Sequence, residues 1–125
     1  MRLTVLPGAL AVCRLQDGAP LPAPPAGAGL WSLTRRPGEV SLVCAVADAP
    51  QGAVVEAGWR ALVVDGVLDF SMVGVLAGLS GALAEAGVSI VALSTYDTDV
   101  LLVREASLAD AATALTAAGH TVTDA

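Results

Sequence analysis

Lysine is absent from this chain of 125 residues; its six basic residues are all Arg, set against twelve acidic ones, for a formal net charge of −6. An acidic chain with no basic cluster repels a phosphate backbone, so nucleic acid is not an expected partner. Arg35-Arg36 is the one adjacent basic pair, and Pro37-Gly38 follows it, which reads as a turn and not as a groove-binding patch. Aromatic residues are nearly missing: Trp31, Trp59, Phe70 and Tyr96 are the full set. The core must be aliphatic, packed from Leu, Val and Ala. No uninterrupted run of about 18 apolar residues exists, so no membrane-spanning helix is expected. The stretch from Met1-Arg2 to Cys13 imitates a signal peptide only faintly. Its basic region is a single Arg, Pro7-Gly8 interrupts the apolar run, and no small-residue cleavage site follows. The cytoplasm is the expected compartment.

Groups that do chemistry are equally scarce. There is one histidine, His120, at a predicted helix end where a protonated ring would meet the dipole favourably. No Ser-His-Asp set, Cys-His pair, zinc spacing or phosphate-binding glycine loop is present. Asp65, Asp69, Asp97 and Asp99 have no His among them and match no Ca²⁺ or Mg²⁺ cage, so turn and cap duty is their expected work. These absences predict a protein that is not an enzyme and holds no metal or cofactor. Cys13 and Cys44 sit in apolar stretches and read as buried free thiols, and one pair does not make a disulfide scaffold.

What is present is a succession of short strands and two helices. Residues 2–6 and 10–15 read as strands. Pro20, Pro22, Pro24 and Pro25 then forbid a regular helix, since proline lacks the amide proton and fixes φ. Residues 30–34 and 39–47 read as a hairpin around Arg35–Gly38. Ala53 to Gly58 reads as one helical turn, and the boundary between two halves falls near residues 48–59. In the second half, residues 61–67, 88–94 and 99–104 read as strands, with a last short one at 120–123. Residues 72–86 make a helix on the spacing of Val73, Leu76, Leu83 and Ala84, with Asp69 or Ser71 as cap, Gly74, Gly78 and Gly81 inside it and Gly87 as its left-handed end. Ser107 and Asp110 resemble a capping box for a second helix to residue 118, ended by Gly119. The order β-α-β-β-α-β over residues 60–125 is the ferredoxin-like split βαβ motif. The fold class is therefore α+β, with a complete unit at 60–125 preceded by a β-rich half at 1–52.

Three stretches resemble a known family. Trp59 to Ser71 looks like the entry to the C-terminal ACT unit of small bacterial ACT-domain proteins. Leu93-Ser94-Thr95-Tyr96-Asp97-Thr98-Asp99 looks like their Ser-Thr-Tyr-x-Thr-Asp signature, and Leu30–Thr34 with Glu39–Leu42 resembles their first-half hairpin. The animal CASTOR amino-acid sensors carry similar signatures. The resemblance implies two tandem ACT-like units, the first degenerate, and a regulatory role in which an amino acid lies between paired units. It implies ligand contacts from Ser71, Met72 and Val73 on one side and from Thr95, Tyr96, Asp97 and Asp99 on the other. The ligand's carboxylate would meet the Met72 and Val73 backbone, and its ammonium Asp99. The first half is short and Pro-rich, so a homodimer is expected to cover what it leaves bare. The competing expectation is an ACT-type assembly module that binds no ligand and pairs through exposed strand edges.

Overall fold

The computed structural model describes all 125 residues. Eight strands and two α-helices follow in the order β1 (Arg2–Val5), β2 (Leu10–Leu15), β3 (Ser32–Arg36), β4 (Glu39–Ala45), β5 (Val54–Val64), α1 (Val75–Glu85), β6 (Ile90–Ser94), β7 (Asp99–Arg104), α2 (Leu108–Ala117) and β8 (Thr121–Asp124). They divide into two units: Met1–Pro7 with Arg60–Ala125, and Gly8–Trp59. The fold class is the expected α+β ferredoxin-like one. No helix is long and apolar enough to cross a membrane.

The first of these units holds both helices. Its strands run β6-β7-β5-β1-β8. β6 and β7 pair antiparallel from Ile90↔Val103 to Ser94↔Asp99, as the short connection Thr95–Thr98 between them predicts. β1 is the departure from a plain βαββαβ unit. It lies between β5, to which it is antiparallel, and β8, to which it is parallel. The N-terminal strand therefore completes the helix-bearing unit and does not belong with residues 8–59, where its place in the chain would put it. Alternate residues of three strands, Leu3 and Val5, Leu62 and Val64, Leu101 and Val103, share one cluster with Leu79 and Leu83 of α1 and Ala111 and Leu115 of α2. Both helices thus cover the same sheet face. Each fully buried Leu contributes about 1.5–3 kcal/mol of transfer free energy, and this cluster stabilises the unit that carries the cleft described below.

α1 begins three residues later than its apolar spacing suggests. Its N-cap is Gly74, at φ 82°, with no side-chain cap. Val73, 94% exposed, lies outside the helix, and the buried face is Leu76, Leu79 and Leu83. Asp69 is not a cap; its carboxylate accepts the Ser71 N–H at 2.8 Å, in a turn ahead of the helix. Gly87, at φ 72°, follows the helix as expected. Ser107 is the N-cap of α2 but makes no side-chain cap bond, because a 3-10 turn at Glu105–Ser107 leads into the helix instead. Two glycines of α1 should respond oppositely to alanine. Gly78 has helical backbone with open space where a Cβ would go, so Gly78→Ala should stabilise by about 0.5–1 kcal/mol. Gly74→Ala would force a left-handed alanine and should cost about 1–2 kcal/mol. Thermal denaturation of the two variants checks this, and shifts of the same sign would contradict it.

His120 reverses its expected role. Its Nδ1 lies 3.0 Å from the Met1 ammonium. Burial, and then the charge of that ammonium, hold its pKa below the ordinary imidazole value. Both effects disfavour the protonated ring that a helix-end cation would require.

The second unit contains no α-helix. Its strands run β3-β4-β2-β5, with β5 contributing residues 54–59. The stretch Ala53–Gly58, read from sequence as a helical turn, is strand from Val54 on, because β-branched Val54 and Val55 pair with Arg14 and Cys13. Gly58 is the extra residue of a bulge, since Leu10 faces Trp59 and Ala11 faces Ala57; its φ of 86° suits a glycine there. The β3–β4 hairpin turns on Pro37-Gly38 alone, with Arg35 and Arg36 still in β3. Cys13 faces Leu42 and Cys44 faces Ala11, which sets the two thiols diagonally within one buried cluster. Both are free. Burial, with the neighbouring Cys13 adding to it, pushes the Cys44 thiol up to about 11. At neutral pH only about one such thiol in ten thousand is ionised, and the thiolate is the reactive form. Ellman's reagent should label neither cysteine in the native protein and both in denaturant; native labelling at the rate of a free thiol would contradict this.

Candidate functional site

Four short segments of the helix-bearing unit surround a cleft of about 340 Å³. The loop after β5 supplies Leu68, Asp69, Phe70 and Met72, the start of α1 supplies Gly74 to Ala77, and the end of β6 and the β6–β7 turn supply Ser94 to Asp99. Hydrogen bonds fix each wall. The Thr95 N–H donates to the Thr98 carbonyl at 2.8 Å, and the Thr98 N–H donates to Thr95 Oγ1 at 3.1 Å, closing the turn. Thr98 Oγ1 donates to the Val64 carbonyl at 2.6 Å, which ties the turn to the end of β5. The Leu68 N–H donates to the Asp97 carbonyl at 2.6 Å, which ties the loop after β5 to the same turn. Phe70 and Tyr96 meet edge to face, with centroids 5.1 Å apart at 86°.

The cleft has two kinds of electrostatic wall. One is the uncapped N-terminus of α1. The first helical bond runs from the Gly78 N–H to the Gly74 carbonyl, which leaves the N–H groups of Val75, Leu76 and Ala77 without a partner inside the helix. Those groups and the positive end of the helix dipole suit a carboxylate. Carboxylates line the same cleft. Asp99 Oδ1 accepts the Ser94 hydroxyl at 2.7 Å, a cross-strand pair that aligns the acid at the head of β7. Asp69 is held below the usual carboxylate range by the Ser71 backbone N–H, and then by the Ser71 hydroxyl. No basic side chain lines the cleft.

Of the residues expected at the site, Met72, Thr95, Tyr96, Asp97 and Asp99 line the cleft, and Ser71 and Val73 do not. Ser71 turns its N–H onto Asp69. The Met72 N–H, expected to meet a carboxylate, already donates to the Asp69 carbonyl at 2.9 Å. The late helix start explains both outcomes: the free donors lie at Val75–Ala77. Leu68, Phe70, Val75, Leu76, Ser94 and Thr98 went unrecognised. Gly74 carries a readable signal for the displaced donors, since a glycine ahead of a regular apolar spacing suits a left-handed entry.

A family model described as ACT domain matches residues 54–117. The chain belongs to the ACT-domain family. The matched ACT segment contains every residue that lines the cleft. Along nearly its whole length the chain is similar to a crystallised protein of Agobacterium tumefaciens, with 33% identity over 99% of this chain and 92% of that one, at a TM-score of 0.90. Two more distant likenesses concern the fold alone. One is the regulatory subunit of aspartate kinase from Thermus thermophilus, in its ligand-free form, at 13% identity over 93% of this chain and 95% of that one, TM-score 0.64. The other is the aspartate kinase of Clostridium acetobutylicum, an allosteric enzyme, at 12% identity and TM-score 0.67, where 93% of this ACT chain spans 34% of the kinase. No curated protein matches.

Proposed function

We propose that this protein is a non-catalytic regulatory module that binds a free amino acid in the cleft between α1 and the Thr95–Asp99 turn. The observation that carries the reading is that one cleft is lined both by the uncapped helix N-terminus at Val75–Ala77 and by the carboxylate of Asp99. An amino acid presents a carboxylate and an ammonium a few bonds apart, and these walls offer a partner to each. On this reading Val75–Ala77 take the ligand carboxylate in place of Met72 and Val73, Asp99 takes the ammonium, and Leu68, Met72 and the Phe70–Tyr96 pair meet the side chain. The family and the fold shared with an aspartate kinase regulatory subunit favour regulation over catalysis. The helix-free unit is then a reduced ACT partner, as in tandem sensors of the CASTOR kind.

A thermal-shift screen of the proteinogenic amino acids tests this. A true ligand at about a hundredfold excess over its dissociation constant should add about 2.7 kcal/mol of stability. A screen in which no amino acid raises the melting temperature would overturn the reading and leave assembly alone as the role. We also propose a homodimer. The outer edges of β6 and β8 have no neighbouring strand, and such edges invite pairing. Sedimentation that reports a monomer throughout the micromolar range would contradict it.

A further inference from the structure

We infer that the face beside the cleft mouth is a docking surface for a partner protein that presents a segment both apolar and basic. The loop after β5 turns its large apolar residues outward: Val67 is 74% exposed, Phe70 74%, Met72 47% and Val73 94%, and Tyr96, in edge contact with Phe70, is 80% exposed. At about 200 Å² per ring, the two aromatics alone leave roughly 300 Å² uncovered. That already reaches the size of the largest apolar patch on a typical monomer, about 300–600 Å², and the three aliphatic residues extend it. The loop is no loose strap. The Leu68 N–H on the Asp97 carbonyl, and the turn in which Asp69 accepts both the Ser71 and Met72 N–H groups, hold it in place.

Charge selects the occupant. Asp65, Asp69 and Asp97 stand exposed along the same loop and turn, and no basic residue occurs anywhere from Ala61 to Val103. An isologous pairing of this patch with a second copy would set acid against acid. An anionic lipid surface would meet the same repulsion. A protein segment with bulky apolar residues flanked by Lys or Arg complements both the centre and the rim. The inference does not depend on amino-acid binding.

Panning a random dodecapeptide phage library on the wild-type protein tests it. The enriched peptides should combine Lys or Arg with bulky apolar residues. A selected peptide, made synthetically, should bind at least tenfold more weakly to Phe70→Ser and to Val73→Ser, and more weakly in high salt. It should bind unchanged to Leu21→Ser, which alters an exposed leucine of the other unit. Val73 does not line the cleft, so it reads the patch even if Phe70→Ser melts early. Failure to enrich any peptide, enrichment of peptides without basic residues, or equal binding to Phe70→Ser and Val73→Ser would overturn the proposal. A wild-type dimer that Val73→Ser dissociates would make a second copy the occupant and would also overturn it.

Discussion

Asp99→Ala should lower affinity for the amino acid that the screen selects by at least tenfold while leaving the fold intact. Asp99 heads β7, half-buried, with one carboxylate oxygen on the Ser94 hydroxyl and its side chain on the cleft wall. Removing one charged hydrogen bond to the ligand ammonium forfeits about 1.5–3 kcal/mol, and about 1.4 kcal/mol is one decade of affinity. The cost to folding is small by comparison. The Ser94 hydroxyl is exposed and exchanges its carboxylate partner for water, and the ladder bonds of β7 do not involve the side chain. Asp99→Asn keeps the Ser94 contact and removes the charge, so it should fall between the two. Calorimetric titration measures all three proteins. Equal affinities for wild type and Asp99→Ala would remove Asp99 from the site.

Leu101→Ala should have the largest effect on stability, a loss of about 2–5 kcal/mol. Leu101 is fully buried in β7, in the cluster that both helices cover, and its neighbours Val100, Leu102 and Val103 are buried as well. A strand buried on both sides cannot close over the cavity by shifting toward solvent, so the vacated volume remains. For a chain of this size the loss corresponds to a melting point lowered by roughly 8–19 °C. Leu101→Met, which keeps the volume, should cost under about 1.5 kcal/mol. Urea denaturation of both variants provides the check. A loss below 1 kcal/mol for Leu101→Ala would mean that the helices do not pack on that residue.

Strand content was legible because it rests on short runs of apolar and β-branched residues bounded by breakers. Leu10–Leu15 and Asp99–Arg104 fall where the pattern puts them. The helix start was obscured because Val73 fits the apolar spacing of α1 by coincidence, although Gly74, in a left-handed conformation, marks where the match ends. The strand at Val54–Gly58 was hidden for a different reason. It is held by pairing with β2, a contact of long sequence separation that no local pattern reports. The place of β1 was hidden in the same way. Its sequence says strand, and only its bonds to β5 and β8 say to which unit it belongs. At the cleft, the Thr95–Asp99 wall was readable because its polar residues are contiguous. The other wall moved with the helix, from the backbone of Met72 and Val73 to that of Val75–Ala77.

The central claim, that a free amino acid lies between the α1 N-terminus and the Thr95–Asp99 turn, is tested most directly by amide NMR. Two-dimensional ¹⁵N spectra are recorded while the amino acid selected by the thermal screen is titrated in. The account predicts saturable shifts of the Val75, Leu76 and Ala77 amides, moving together with those of Thr95 to Asp99. Unmoved Val75–Ala77 amides at saturation, or shifts confined to residues outside the cleft, would contradict it.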